Sequence, residues 1–313
     1  MSKKILVIGS TNTDMVVKAA NLPRPGETVL GGVFLMNAGG KGANQAVAAA
    51  RLGAQVTFVC KTGNDIFGQQ SKQLFADEGI DTTYVFSDGE HPSGVALITV
   101  DDKAENCIVV ASGANAYLLP ADLADAVDVI KQSDIVLMQL EIPIETIEYV
   151  ADIACNAGKT VILNPAPAQP LSKNLLQKVS ILTPNETEAG MISGISVSDT
   201  ASAIEAARMI CAMGVQTVII TLGAKGAMIY TDSLQEEISA EKVVAVDTTA
   251  AGDVFNGALA VALSENKTIT DAVKFACRAA SISVTRIGAQ ASAPYRESLP
   301  PTPSHRVGEI PNS

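Results

Sequence analysis

Short apolar runs alternate along this chain with longer segments whose apolar residues recur at helical spacing. Runs typical of buried strands occupy residues 3–10, 56–60, 135–140, 160–163, 181–183 and 217–222. Segments with helical periodicity occupy residues 42–52, 66–78, 123–131, 144–156, 187–193, 202–213, 258–263 and 272–284. Buried strands that alternate with helices are typical of a parallel sheet covered on both faces. The sequence therefore predicts an α/β fold built on a mostly parallel sheet.

Two regions interrupt this alternation, at about residues 15–36 and 94–111. They contain strand-like runs at 15–19, 28–34, 95–100 and 107–110 with no helix between them. We interpret them as a small separate sheet within a single domain that spans residues 1–313. A helix-free sheet must cover its apolar face with substrate, with the main domain or with the same sheet of a second subunit. Self-pairing covers the face and the edges symmetrically, so we expect a homodimer joined through this sheet.

The composition argues against several classes of partner. A net charge of −11 disfavours a nucleic-acid surface or an anionic membrane as partner. No apolar stretch approaches the roughly 18 residues of a membrane-spanning helix, and the apolar run at the N-terminus is too short for a signal peptide. The five cysteines are scattered without a C-x-x-C pair, which is typical of reduced, mostly buried thiols in a cytoplasmic protein. The proline-rich residues 297–313 are expected to form a flexible tail.

Small residues fill the segment 247–257, between an apolar run at 243–246 that predicts a strand and the helical segment 258–263. The backbone N–H groups at such a helix start have no partners, and the helix dipole is positive there, which favours an anion. Asp253 would lie in the first turn, where its carboxylate can meet a substrate hydroxyl beside a bound phosphate. The alternative is an ordinary first-turn acid that follows a tight turn at Gly252.

A second glycine-rich segment, residues 37–45, opens the helix at 42–52. It lacks the Gly-x-x-x-x-Gly-Lys-Ser/Thr pattern of a P-loop. Its glycines allow close backbone approach, and Lys41 and Asn44 offer donors to a polyhydroxylated ligand or a phosphate. The alternative is a simple loop at the start of a helix.

Polar residues also follow several predicted strands, where ligands of open α/β sheets bind. Asn12 and Asp14 follow the first strand, and Glu141 ends the run 135–140. These groups are candidates for substrate contacts; the alternatives are residues that satisfy turns and a charge that reaches water.

Asn185 and Glu188 follow the strand at 181–183 and lie three residues apart, on one face of a first helical turn. They predict either a capping box or oxygen ligands that contact Mg²⁺ through water. The glycine-rich segment 221–226 is a weaker candidate for contact with a nucleotide.

Four of these segments resemble the ribokinase-like sugar kinases, the phosphofructokinase-B carbohydrate kinase family. Residues 39–46 and 247–255 resemble the two family signatures, and 164–168 and 183–188 match in the expected order. The resemblance covers about residues 3–296 and implies a three-layer α/β/α domain with a small β-sheet lid. It also implies ATP-dependent phosphorylation of ribose at O5. Rival hypotheses are the same chemistry on deoxyribose, fructose or a nucleoside, and a sugar or nucleotide sensor without turnover.

The resemblance also implies roles for individual residues. The sugar would be held by Asn12, Asp14, Gly40, Lys41, Asn44 and Glu141. Asp253 would be the catalytic base, with the amides of Ala250, Ala251, Gly252 and Asp253 as an anion hole. ATP and Mg²⁺ would contact Asn185, Glu188, Thr221, Gly223, Ala224, Lys225, Gly226 and Gly252, with Cys277 near the adenine. A potassium ion would be held by Asp247, by the carbonyl groups of Thr249, Val284, Ile287 and Ala289, and by the region of Ala293.

The sequence also gives a physical reason to expect a potassium site. Asp247 is expected to be buried beside strand ends with no basic partner nearby in the sequence. A buried lone carboxylate is normally neutralised by a proton or a cation. The alternative is that Asp247 caps the turn by accepting backbone N–H groups.

Overall fold

The computed structural model describes residues 3–103 and 105–299, and thirteen strands and nine α-helices are assigned in them. The strands are β1 (Lys4–Ile8), β2 (Asn12–Lys18), β3 (Val33–Gly39), β4 (Gln55–Gly63), β5 (Val85–Asp88), β6 (Gly94–Val100), β7 (Asn106–Ala111), β8 (Ile135–Met138), β9 (Thr160–Leu163), β10 (Ile181–Leu182), β11 (Thr217–Thr221), β12 (Gly226–Tyr230) and β13 (Gln235–Ser239). The helices are α1 (Lys41–Arg51), α2 (Ile66–Asp77), α3 (Val127–Gln132), α4 (Ile144–Asn156), α5 (Lys173–Leu176), α6 (Glu186–Ser193), α7 (Thr200–Ala212), α8 (Ala251–Ser264) and α9 (Ile269–Ser283).

Nine strands form the main sheet in the order β13-β12-β11-β10-β9-β8-β1-β4-β5. All neighbours from β11 to β5 pair in parallel, and β12 and β13 add two antiparallel pairings at one edge. Parallel strands need crossover connections, and the helices between them supply these connections. The prediction of a mostly parallel sheet is confirmed.

The main sheet is buried on both faces, as the continuous apolar strands predict. In β1, Ile5 and Val7 point into a core formed with α1, α8 and α9. Leu6 and Ile8 point to the opposite core, which α4 and α7 cover. Burying each such side chain stabilises the fold by about 1.5–3 kcal/mol. Helices on both faces confirm the expected three-layer α/β/α arrangement.

The remaining four strands form the lid sheet, in the order β3-β2-β6-β7. Strand β2 pairs antiparallel with β3 and parallel with β6, and β6 pairs antiparallel with β7. The small sheet is confirmed, but the strand predicted at 28–34 is misplaced. Strand β3 begins at Val33 and runs on to Gly39, because its ladder with β2 continues up to the pair Asn12 and Gly39.

Several other details differ from the predictions. The run 243–246 is not a strand: Val244 is 86% exposed, and the N–H of Val246 donates to the carbonyl of Val284 instead of to a sheet. The helix expected at 123–131 is split into a 3₁₀ segment, Pro120–Ala126, and the short α3. An apolar run does not become a strand unless a neighbouring strand can pair with it, and local sequence does not encode that neighbour.

The cysteine and tail predictions are only partly right. All five cysteines are free, as expected, but only Cys60 and Cys277 are buried, whereas Cys107 and Cys155 are exposed. Leu299, within the predicted tail, packs against the core; the rest of the predicted tail, residues 300–313, lies outside the described part of the chain. Within the described residues, no helix combines the length and hydropathy required to span a bilayer.

Candidate active site

The first turn of α8 lies at the centre of the candidate site. Ala250 precedes the helix in a left-handed conformation, with a φ of 59°. This conformation is uncommon for residues other than glycine, and it turns the chain sharply into the helix. The carbonyl of Ala250 accepts the N–H of Val254 at 2.9 Å. The turn therefore delivers Asp253 into the interior at the positive end of a helix.

Asp253 is buried, with 4% of its surface exposed. Its Oδ2 accepts Nδ2 of Asn44 and its Oδ1 accepts Nε2 of Gln45, both at 2.9 Å. Burial raises the pKa of Asp253, and the charge of Lys41 and the two amide donors oppose that rise. Asp253 is thus a buried first-turn acid with two amide donors, an environment that favours the functional interpretation over the alternative.

A line of buried amides leads away from Asp253. Nε2 of Gln45 also donates to Oδ1 of Asn164 at 3.1 Å, and Oε1 of Gln45 accepts Nε2 of Gln139 at 2.6 Å. Nδ2 of Asn164 donates to the carbonyl of Thr183 at 3.3 Å. The sequence analysis assigned no role to these amides. Gln139 is a polar residue near the end of an apolar strand run, and this break in the pattern could have indicated a buried polar contact.

The candidate sugar-binding residues converge beside Asp253 from the lid and from the ends of β1 and β8. The N–H of Lys41 donates to Oε2 of Glu141 at 3.0 Å, and Oγ of Ser10 donates to the same oxygen at 2.6 Å. Glu141 therefore does not simply reach water. Burial alone would lower the pKa of Lys41, but the carboxylates around it, with Asp253 the largest contributor, raise that pKa overall.

Asp14 lies on β2 opposite the end of β3. A Cβ atom at Gly39 would collide with the carboxylate of Asp14, so glycine there lets the carboxylate keep this position. Burial, with smaller contributions from Glu141 and Asp253, raises the pKa of Asp14 to about 6. Such a carboxylate can accept hydrogen bonds from sugar hydroxyl groups when it is ionised.

Asn12 is held by a residue that the sequence analysis did not identify, Asn115. Nδ2 of Asn115 donates to Oδ1 of Asn12 at 2.8 Å. The same side chain accepts the N–H of Thr11 and donates to its carbonyl, both at 3.0 Å. Gly40 has a φ of 88°, and a Cβ atom there would lie 2.7 Å from Cα of Thr11. These contacts pack the junction between the lid and the main sheet tightly.

A cleft of about 800 Å³ lies on the other side of the α8 turn. Its lining includes the predicted nucleotide contacts Asn185, Thr221, Gly223, Ala224, Gly226, Gly252 and Cys277. Lys225 and Glu188, which were also predicted, do not line it. Residues that the sequence analysis missed contribute apolar surface, among them Val243, Ala245 and Phe255. Burial raises the pKa of the Cys277 thiol to about 12, so this thiol is uncharged and contributes to the wall of the cleft.

Asn185 and Glu188 form the capping box that the sequence allowed. Oδ1 of Asn185 accepts the N–H of Glu188, and Oε2 of Glu188 accepts the N–H of Asn185, both at 2.8 Å. Burial raises the pKa of Glu188. Over residues 3–103 and 105–299, no three His, Cys, Asp or Glu side chains group as a metal cluster. Glu188 is the carboxylate of this pair that could contact a metal ion, directly or through water.

Asp247 is partly exposed, so the expectation of a buried lone carboxylate is wrong. Its Oδ1 accepts the N–H of Thr249 and its Oδ2 the N–H of Gly288, both at 2.9 Å. Burial acts to raise its pKa, but the hydrogen bonds from Thr249 and Gly288 outweigh that effect and the pKa is lowered. The alternative role, capping of the turn, is therefore present in the structure.

The other residues of the predicted potassium site surround this turn. The carbonyl of Val284 accepts the N–H groups of Val246 and Asp247, and the carbonyl of Ala289 accepts that of Ser292. The carbonyl of Ala293 accepts the guanidinium of Arg51 at 3.1 Å. In the described part of the chain, the carbonyl groups of Thr249 and Ile287 accept no hydrogen bond.

Comparison with known proteins gives the same assignment along nearly the whole chain. The model of the pfkB family carbohydrate kinases matches residues 2–296. A ribokinase of Haemophilus influenzae is 47% identical over 297 residues, which cover 95% of this chain and 97% of that protein. A deoxyribokinase of Salmonella typhimurium is 37% identical over 294 residues, with 94% and 96% covered. The structure of Arabidopsis thaliana ribokinase complexed with ribose and ATP has a TM-score of 0.91 at 34% identity, with 96% and 98% covered. The chain belongs to the pfkB family of carbohydrate kinases.

Proposed function

We propose that the protein is an ATP-dependent ribokinase, which transfers the γ-phosphoryl group of ATP to O5 of D-ribose to give D-ribose 5-phosphate. One observation carries the proposal. The buried carboxylate of Asp253 lies at the start of α8, between the lid residues on one side and a nucleotide-sized cleft on the other. The similarity to ribokinases at up to 47% identity supports ribose as the acceptor.

In this mechanism the sugar lies between the lid and the main sheet. It is held by Asn12, Asp14, Gly40, Lys41, Asn44 and Glu141. Asp253 accepts the proton of the O5 hydroxyl group as that oxygen attacks the γ-phosphorus. Positioning of the two reactants supplies most of the rate enhancement in phosphoryl transfer.

The start of α8 stabilises the negative charge on the transferring group. The N–H of Ala251 donates to the carbonyl of Thr248 at 3.3 Å, whereas those of Gly252 and Asp253 donate to no group in the described residues. Donors aimed at the developing charge from a helix start need no reorganisation during the reaction. We therefore assign the anion hole chiefly to the amides of Gly252 and Asp253, with Ala250 and Ala251 shaping the turn.

The residues fit a magnesium ion that is held through water. Asn185 and Glu188 provide oxygen atoms beside the cleft, and their mutual hydrogen bonds fix those atoms. Bound Mg²⁺ neutralises charge on the phosphate groups. Thr221, Gly223, Ala224, Lys225, Gly226 and Cys277 are assigned to ATP.

We also propose a potassium ion beside the α8 turn. Asp247 and the carbonyl groups of Thr249 and Ile287 provide oxygen donors for it. Among the described residues, the carbonyl group of Ala293 accepts one hydrogen bond and can offer its second lone pair. The carbonyl groups of Val284 and Ala289 each accept two hydrogen bonds already and would have to weaken one of them to contact the ion. Such an ion would neutralise Asp247 and hold the loop that carries the anion hole.

The exposed side chains of the lid support the prediction of a homodimer. Phe34 is 60% exposed, Leu35 37%, Ile108 54% and Val109 67%. Successive residues of a strand point to opposite faces, so both faces of the lid expose apolar side chains. A small sugar can cover only one face, and a second copy of the lid would cover the other. The cysteine pattern continues to predict a cytoplasmic enzyme.

A substrate panel tests the proposal. Initial rates of ADP formation would be measured with ribose, 2-deoxyribose, fructose and a nucleoside, with ATP alone as the blank. We expect the highest kcat/KM for ribose. The deoxyribokinase at 37% identity makes 2-deoxyribose the competing acceptor. Preference for another acceptor would replace the substrate assignment, and ATP consumption that no sugar stimulates would reject the kinase in favour of a sensor.

A further inference from the structure

The side chain of Gln45 is completely buried and contacts three polar partners. Its Nε2 donates to Oδ1 of Asp253 at 2.9 Å and to Oδ1 of Asn164 at 3.1 Å. Its Oε1 accepts Nε2 of Gln139 at 2.6 Å. Gln139 is also completely buried. We propose that Gln45 is a positioning residue that keeps the catalytic base ionised, and that Gln139 and Asn164 fix the direction in which its amide points. This inference rests on the proposed role of Asp253.

The direction of the amide matters because its two ends have opposite chemistry. The NH₂ end stabilises a carboxylate, whereas the carbonyl end would repel it. The series of hydrogen bonds that fixes this direction begins at the backbone carbonyl of Thr183, which can only accept a hydrogen bond. It therefore selects the NH₂ end of Asn164, at 3.3 Å. Oδ1 of Asn164 then faces Gln45 and selects its NH₂ end.

Gln139 imposes the same direction from the opposite side. Its Nε2 donates to Gln45, so the carbonyl end of Gln45 is held away from Asp253. Oε1 of Gln139 has no hydrogen-bond partner among the described residues and lies against Gly9, where a Cβ atom would collide with it. Only glycine at that position leaves room for Gln139. A buried oxygen without a hydrogen bond is unfavourable. Its presence here is consistent with a requirement that the NH₂ end of Gln139 face Gln45.

Asp253 needs these donors because most of its charged surroundings favour the protonated acid. Lys41 on α1 is the cation that faces it, and burial opposes its charge. Glu141 after β8, Glu188 on α6 and Asp14 on β2 are carboxylates that interact with it unfavourably. Hydrogen bonds donated to the carboxylate stabilise its ionised form and so lower the pKa of Asp253. Asn44 supplies one such bond, and Gln45 supplies the other.

The test compares Gln45→Met and Gln139→Met, which keep the side-chain length and remove the hydrogen bonds. Gln169→Met is the matched control, because that amide bonds only to the carbonyl of Leu140, at 3.4 Å. The single-turnover rate of phosphoryl transfer would be followed from about pH 5 to about pH 9 at saturating ribose and ATP, so that it reports groups in the ternary complex. A base works only when it is deprotonated, so loss of a donor should move the acid limb to higher pH.

We expect Gln45→Met to move the acid limb upward by about one pH unit or more, the value of a hydrogen bond to a charged group. Its rate would fall about tenfold on the acid side and recover to within about threefold at high pH. Gln139→Met should shift the limb in the same direction by about half as much. The Gln45 amide is then held in its direction by Asn164 without Gln139, so it can rotate part of the time. Gln169→Met should leave the limb in place.

A loss of rate by the same factor at every pH, with the acid limb unmoved, would overturn the proposal. If Gln45→Met does not fold, as judged by circular dichroism, Gln139→Met decides the question, since it replaces no residue that bonds to Asp253. Asp253→Asn separates this inference from the assignment of the base. If that variant retains the rate and the acid limb of the wild type, then Asp253 is not the base, and the proposed mechanism is what fails.

Discussion

Nδ2 of Asn115 donates to Oδ1 of Asn12 at 2.8 Å, while the rest of the Asn115 amide pairs with the backbone of Thr11. Asn12 is thereby oriented with its own NH₂ group available to a ligand. The two residues are 103 positions apart in the chain. A predicted sugar-binding residue at the base of the lid is thus oriented by a buried side chain from outside the lid.

Asn115→Asp should weaken sugar binding. The new oxygen would face Oδ1 of Asn12 and the carbonyl of Thr11, and this repulsion would turn the Asn12 amide over. We expect KM for ribose to rise about tenfold, in keeping with one hydrogen bond lost, with a smaller effect on kcat. Steady-state kinetics would measure both, with Asn21→Asp as the control, because Asn21 bonds only to its neighbour Leu22. An unchanged KM would show that the orientation of Asn12 is irrelevant to binding.

Asp253→Asn should abolish most turnover while the fold and ribose binding persist. Loss of a positioned base typically lowers the rate by roughly 10²–10⁴-fold. The amide is nearly the same size, so the buried site needs no repacking. Turnover would be measured alongside ribose affinity by calorimetry. Turnover within about threefold of the wild type would remove Asp253 from the mechanism.

Asp14→Asn should make the folded protein more stable at neutral and alkaline pH. The pKa of Asp14 is raised to about 6 by burial, above about 3.9 in an unfolded chain. The folded state therefore binds this proton more tightly, and its stability falls as pH rises from about 4 to about 6 and stays lower above that range. We expect Tm to increase by a few degrees at about pH 8 and hardly at all at about pH 4.

The exposed Asp232→Asn is the control for this effect. An equal gain in Tm at both pH values would contradict the explanation by ionisation. Ribose affinity should fall in Asp14→Asn at every pH, because the lost carboxylate is also a predicted sugar ligand.

Potassium should raise turnover by acting on the α8 turn. Initial rates would be measured against KCl, with ionic strength held constant by a tetraalkylammonium salt. Sodium should activate less, because the smaller ion fits a cage of carbonyl groups less well. Asp247→Ala should remove the dependence on potassium. Equal rates with and without potassium reject the site, and activation that survives Asp247→Ala rejects the residue.

The lid should join two subunits. Ile108→Glu and Val109→Glu place a charge on opposite faces of β7, so one of them should disrupt the interface and the other should not. Sedimentation would report a dimer for the wild type at micromolar concentration and a monomer for one variant. Ile66→Glu, on the exposed start of α2 at 62% exposure, is the control. A monomeric wild type would contradict the prediction.

The alternation of strands and helices was predictable because each element carries its own periodicity. The position of the candidate base, the small sheet and most of the predicted residues that line the cleft were predictable because they lie in continuous motifs. Asn115 and the pairing of Gln139 with Gln45 were not, since these contacts join residues 94 or more positions apart. The run 243–246 was misassigned for the same kind of reason. Val243 and Ala245 line a cleft instead of pairing in a sheet, and local pattern does not distinguish these roles.

Gly40 is the single residue between the end of β3 and the start of α1. Asn44 and Gln45, the two donors to Asp253, belong to the first turns of that helix. Any tilt of the lid that Gly40 does not absorb is therefore transmitted to the donors of the base.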